Sequence, residues 1–166
     1  MTIPDTYTEL NETGCCAVPN VAEWDRREVE FVDRRFLRMH TRSVMFVPVN
    51  MAKVMTALEQ TARQVGVMMP PTQALILSRD LSPWRAEQLF EVTAPVPGSD
   101  NVVINATFLT RVFDGPYKQV KSWFQEMQTS ATEQGREAFR IYFWYTTCPK
   151  CAKHYGHNYV VGFAQV

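Results

Sequence analysis

The stretch Met51-Ala52-Lys53-Val54-Met55-Thr56-Ala57-Leu58-Glu59-Gln60-Thr61-Ala62-Arg63-Gln64-Val65-Gly66 sets Met51, Val54, Met55, Leu58, Ala62 and Val65 at spacings of three and four. That period is one apolar stripe on a helix, with Asn50 able to cap its start and Gly66 to end it. The same punctuation returns between Pro116 and Thr132. There a proline stands in the first turn, Tyr117, Val120, Trp123, Phe124, Met127 and Ala131 make the apolar side, and Gly135 closes it. This second helix reads as about one turn longer than the first.

Working outward, each helix is bracketed by strand-like runs. Phe36 to Val49 precedes the first helix, and Gln73 to Ser78 and Gln88 to Val96 follow it; Thr107 to Phe113 precedes the second, and Arg140 to Thr146 and Tyr159 to Gln165 follow it. Gly66 and Gly135 stand at the same offset as Phe90 and Tyr159, so the order reads as a duplicated strand-helix-strand-strand unit. Pro95-Val96-Pro97-Gly98-Ser99-Asp100 is the natural joint between copies. The expected organisation is an N-terminal arm over 1–33, carrying Pro4, Gly14 and Pro19 without a sustained period. A single domain over 34–166 follows, with repeat one at 34–97 and repeat two at 101–166. The expected fold class is α+β: an antiparallel sheet with two helices on one face and a ligand cleft on the other.

Composition narrows the functions. In 166 residues, Lys and Arg total 17 and Asp and Glu total 17, so no basic field exists to hold a phosphate backbone, and nucleic acid is not expected as a partner. Arg26, Arg27, Arg34, Arg35, Arg38 and Arg42 are interleaved with Asp25, Glu28, Glu30 and Asp33, the pattern of a mixed solvated surface. No run approaches a membrane span and the first ten residues lack a signal-peptide core, so the expectation is a cytoplasmic protein with no membrane partner. No phosphate-binding loop or Ser-His-Asp pattern is present, and no organic cofactor is expected.

Three features could carry chemistry. In Leu89-Phe90-Glu91-Val92-Thr93-Ala94, alternation puts Phe90, Val92 and Ala94 on one face and Leu89, Glu91 and Thr93 on the other. If the apolar set packs on the helix, Glu91 and Thr93 face the cleft, where a carboxylate can meet a cation or act as general acid or base. Arg140-Ile141-Tyr142-Phe143-Trp144-Tyr145 is unusually aromatic, with Tyr142 and Trp144 in one parity and Ile141, Phe143 and Tyr145 in the other, and either set could stack on a flat ligand. Cys148-Pro149-Lys150-Cys151 is a C-x-x-C following a strand. Two thiolates so spaced can hold half of a structural zinc site, with Cys15, Cys16 or His154 completing it. A redox dithiol wants a helix N-terminus, which the sequence does not predict there, and plain reduced cysteines remain the third reading.

Phe113-Asp114-Gly115-Pro116-Tyr117, Glu91-Val92-Thr93-Ala94-Pro95-Val96 and the duplication together resemble the GyrI-like small-molecule-binding family over residues from about 34 to 166. Thr146-Thr147-Cys148-Pro149-Lys150-Cys151-Ala152-Lys153, Gly156, Asn158-Tyr159-Val160-Val161 and Cys15-Cys16 resemble a branch of short bacterial proteins labelled hydrolases. The resemblance implies a small aromatic ligand and, by analogy with relatives that open cyclopropyl rings with water, a detoxifying hydrolase. On that reading Glu91 and Tyr145 act on the substrate and Tyr142, Trp144 and Thr93 contact it. The alternative it implies is a non-catalytic binder or sensor using Glu91 as counter-charge. The last strand, Tyr159 to Val166, lacks the acid that multidrug-binding relatives carry there; the matching segment lies in the first repeat.

Overall fold

A computed structural model of the chain describes residues 3–166. It is α+β, with three α-helices and strands that pair antiparallel, consistent with a GyrI-like fold. The residues group into two compact units. One comprises Val32–Pro70 and Ala74–Asn105, and the other comprises the described residues up to Phe31 together with Pro71–Gln73 and Ala106–Val166.

In the first of these, the α1 unit, strand β1 (Glu28–Val44) pairs with β2 (Val47–Pro48) and β4 (Arg85–Val92), and β4 pairs with β3 (Ile76–Ser82). Leu37 and Ile76 both lie opposite Phe90 in register, so the three side chains share one face. Helix α1 (Met51–Val65) covers that face with Val54, Leu58 and Ala62. Gly66 ends the helix in the left-handed region at φ 75°, its N–H reaching the carbonyls of Ala62 and Arg63, as the sequence predicts. Asn50 does not cap the start; its Oδ1 accepts instead from the Arg42 N–H at 2.8 Å, tying the helix entry to β1.

The α2 unit holds the second half of β5 (Asn101–Asp114), which pairs with β7 (Tyr159–Gln165), which pairs with β6 (Arg140–Tyr145). Helix α2 (Val120–Glu133) lays Trp123, Met127 and Ala131 on Leu109, Phe113, Ile141, Phe143, Val160 and Ala164. Phe113 and Trp123 stack at 5.3 Å between ring centres. Gly162 makes this approach possible, because a Cβ there would lie 2.7 Å from Met127 Sδ and 3.2 Å from a Phe113 ring carbon.

Several boundaries move. Strand β1 begins at Glu28, inside the expected arm, and β5 begins at Asn101 rather than Thr107. Helix α2 starts at Val120 after a 3-10 turn at Tyr117–Gln119, because Pro116 is extended and only starts the turn. A third helix, α3 (Pro149–Tyr155), occupies the segment read as a tight turn. Seven residues are too few to show a periodic stripe, so only Pro149 at its first position and Gly156 after its end marked it.

Replacing Gly162 with alanine is expected to force α2 away from β7, at a cost of about 1–3 kcal/mol for overpacking. A thermal melt should show the loss, and a Gly162→Ala chain as stable as the parent would mean that α2 is free to shift.

Candidate functional site

Glu91 lies on the β4 face turned away from α1, as Phe90 and Val92 pack in the helix-side cluster. Its side chain is 3% exposed, and Arg34 Nε lies 2.5 Å from its Oε1. Glu91 Oε2 is buried and has no hydrogen-bond partner among the described residues. Burial pushes the Glu91 carboxyl above the usual carboxylate range, and this outweighs the opposite pull of the Arg34 guanidinium. The same face carries a second buried carboxylate, Glu87, held by Arg79 Nε at 2.8 Å and approached by Arg38 Nη1 at 3.7 Å. Arg38 in turn makes two bonds to Asp100, at 2.9 and 3.3 Å. The sequence reading missed Glu87, although strand alternation puts residues four apart on one face. At about 3.3 Å of rise per residue the two backbones stand about 13 Å apart, too far for the carboxylates to work as one proton-sharing dyad.

Thr93 falls just beyond β4 and is exposed, its N–H donating to the Val67 carbonyl. The aromatic strand divides by parity. Tyr145 points to the α2 side and meets the Tyr117 ring edge-on at 5.6 Å, whereas Tyr142 and Trp144 point to the opposite face. That face is not open. Tyr142 and Trp144 are buried with Trp24, Phe31, Phe108 and Phe163 in linked ring contacts of 4.7–6.2 Å. The N-terminal arm covers it: Tyr7 Oη accepts from Trp144 Nε1 at 3.1 Å and donates to the Thr146 carbonyl at 2.9 Å, and Trp24 Nε1 donates to the Asp5 carbonyl at 3.0 Å. Tyr145 therefore cannot share a surface with Tyr142 and Trp144, and the latter two sit under the arm rather than on a cleft wall. Burial of that hydroxyl pushes the Tyr7 pKa up to about 12.

The cysteines do meet. The sulfur atoms of Cys15, Cys16, Cys148 and Cys151 all lie within 4.8 Å of one another, and all four thiols are free. A tetrahedral ion with metal–sulfur bonds near 2.3 Å needs sulfurs about 3.8 Å apart, which is the Cys15–Cys16 separation of 3.8 Å. The set could hold a metal. Polar groups orient the cluster: Cys148 N–H points at Cys16 Sγ at 3.5 Å, Thr13 Oγ1 lies 3.2 Å from Cys151 Sγ, and Tyr155 Oη donates to the Cys16 carbonyl at 2.7 Å. The Thr13 contact brings the Cys151 thiol down to about 7 in spite of burial, while burial pushes the Cys16 thiol up. His154 stays outside the cluster, with Nε2 3.9 Å from Glu12 Oε2. Contrary to the sequence expectation, Cys148 caps a helix N-terminus and Cys151 lies in its first turn.

Arg34→Met should leave the Glu91 carboxyl buried without its cation, a cost on the order of 3–5 kcal/mol, and the melting temperature should fall. Because the folded carboxyl titrates above its unfolded value, the stability it contributes is complete below the ordinary carboxylate range and is lost as pH rises through the raised value. Glu91→Gln, which cannot ionise, should remove that slope from a pH series of melts. Tyr7→Phe strands the Trp144 indole N–H and should cost about 1–3 kcal/mol; an unchanged melt would show that the arm does not hold that face.

Comparison with known proteins adds the following. A family model described as bacterial hydrolase matches residues 6–166. No curated protein matches the chain. Among solved structures the fold is similar to that of SAV2435, described as bound to tetraphenylphosphonium, with a TM-score of 0.53 and 8% identity over 84% of this chain and 92% of that one. No helix among the described residues is long and apolar enough to cross a membrane.

Proposed function

We propose, from the premise that the chain belongs to the bacterial hydrolase family, that it binds a small aromatic electrophile and adds water to it at Glu91. The observation that carries this reading is the Glu91 carboxylate itself. One oxygen is held by Arg34, and the other is buried without a partner on a face that also carries Phe36 and Leu89. Such an oxygen can take a proton from water as the water oxygen bonds to an electrophilic carbon. For a cyclopropane conjugated to a carbonyl, the electron pair of the broken ring bond passes to the carbonyl oxygen, which then takes a proton. Arg34, beside Glu91 Oε1, is the cation near enough to favour that developing negative charge. In this reading Tyr145, Tyr142 and Trp144 serve packing, Thr93 stays exposed beyond β4, and the ligand contacts come from the Glu91 face.

A second reading is favoured by burial and by the neighbour's ligand: a non-catalytic binder in which a lipophilic cation meets Glu91 Oε2 in competition with Arg34. Shared connectivity supports a duplicated fold under either reading. In each unit the strand before the helix pairs with the last strand, and the last strand pairs with the middle one.

For the cysteines the proposal is one structural zinc bound by Cys15, Cys16, Cys148 and Cys151, which fastens the arm to α3 and leaves no open position for chemistry. A cluster of four free thiols suits a reducing compartment, which favours the cytoplasm.

Three measurements test these readings. Incubation with a cyclopropane-bearing enone should give the water adduct with the parent chain and none with Glu91→Gln; a cationic ligand such as tetraphenylphosphonium, titrated calorimetrically, should bind the parent about tenfold tighter than Glu91→Gln only if the second reading holds. Neither turnover nor binding would sink both. Elemental analysis of untagged protein should give one zinc per chain, with Cys148→Ser lowering metal content and melting temperature together.

A further inference from the structure

Where β1 turns into β2, the chain presents Val44, Met45, Phe46, Val47 and Val49 to solvent, each at least 50% exposed. Trp84, 57% exposed, joins them, because Ser43 N–H donates to the Trp84 carbonyl at 2.8 Å and Phe46 N–H to the Pro83 carbonyl at 2.9 Å. Together they expose roughly 600 Å² of side chain, at the upper end of the largest apolar patch on a typical monomer.

The turn at the tip is strained. Val44 pairs with Val47, so Met45 and Phe46 form a two-residue hairpin loop, and both have positive φ, 49° and 69°. Asn-Gly is the favoured filling for such a loop because larger side chains resist that conformation. Nothing within the chain rewards the choice, since Met45 is 63% and Phe46 50% exposed. Strain of this kind persists where it presents side chains to something else.

We propose that this hairpin tip is a self-association surface, buried against the same tip of a second copy across a two-fold axis. The area approaches the roughly 800 Å² per partner of a standard interface, and its Met, Phe and Trp content is that of an interface core. Around the tip stand Arg42 and Arg85, directly opposite each other in the ladder, and the exposed Asp80; a two-fold axis can set an arginine of one copy on the aspartate of the other. The chain carries no net charge, so two copies approach without long-range repulsion. Pro48 has no N–H and lies in the short strand β2, so the contact runs through side chains rather than by strand addition.

Sedimentation equilibrium of the full chain should show a monomer–dimer equilibrium in the micromolar range. Val47→Glu and Trp84→Glu, on separate segments, should each weaken it at least about tenfold, while Phe139→Glu, exposed in the α2 unit, should not. Met45→Asn with Phe46→Gly should weaken association yet raise the melting temperature of the monomer, a split that a purely local role for the turn would not give. Trp84 supplies a readout independent of variant folding: Trp24, Trp123 and Trp144 are buried, so iodide quenching should fall with concentration as Trp84 is covered. A chain that stays monomeric at high micromolar concentration overturns the proposal, as does a dimer indifferent to all the tip variants. Capture of the monomer by vesicles of anionic lipid, abolished by Val47→Glu, would also overturn it and assign the tip to a membrane surface.

Discussion

The N-terminal arm stays on the α2 unit through a handful of directed contacts, and the burial of that unit's aromatic face depends on them. Near one end, four sulfur atoms within 4.8 Å of one another bring residues 15 and 16 to the start of α3. At its other end Tyr7 spends its hydroxyl on Trp144 and Thr146. Before Trp24 the arm offers no buried hydrophobic side chain among the described residues, so burial alone returns little of the entropy of ordering about 20 residues. Thiol chemistry is suited to the deficit: a metal bound by preformed thiolates contributes folding free energy directly and fixes both segments at one point.

Covering that face has a consequence for function. A sheet whose helix-free side is sealed by Trp24, Phe31, Trp144 and Phe163 has no room there for a ligand. The polar counterpart lies in the α1 unit, where the corresponding strand face carries Glu87 and Glu91 among arginines. The helix-free strand faces of the two units are thus filled differently, one with aromatic packing and one with buried charge.

Much of this was legible in the sequence, and the failures have physical causes. The stripes of α1 and α2 and the parity of Phe90, Glu91 and Val92 could be read because long amphipathic elements repeat a period that burial enforces. The meeting of Cys15, Cys16, Cys148 and Cys151 was legible for another reason: only a long-range site gives a reason for thiols in an otherwise patternless arm. The orientation of Tyr142, Trp144 and Tyr145 was not, because both faces of β6 are buried and alternation carries no contrast when both parities are apolar. Arg34 was read as solvated surface amid mixed charges. Only the fold reveals that β1 carries it to Glu91, across a register that places Phe36 opposite that carboxylate.

Glu91 then sits between opposing influences. Burial favours its neutral form and Arg34 its ionised form, with burial the larger. A hydrogen-bond donor or cation arriving at Oε2 adds to the side of Arg34, so ligands of that kind bind with proton release as pH falls toward the raised value. A neutral ligand would bring no such charge and would leave the carboxyl nearer its neutral form. The protonation of that carboxyl is therefore set by burial on one side and, on the other, by Arg34.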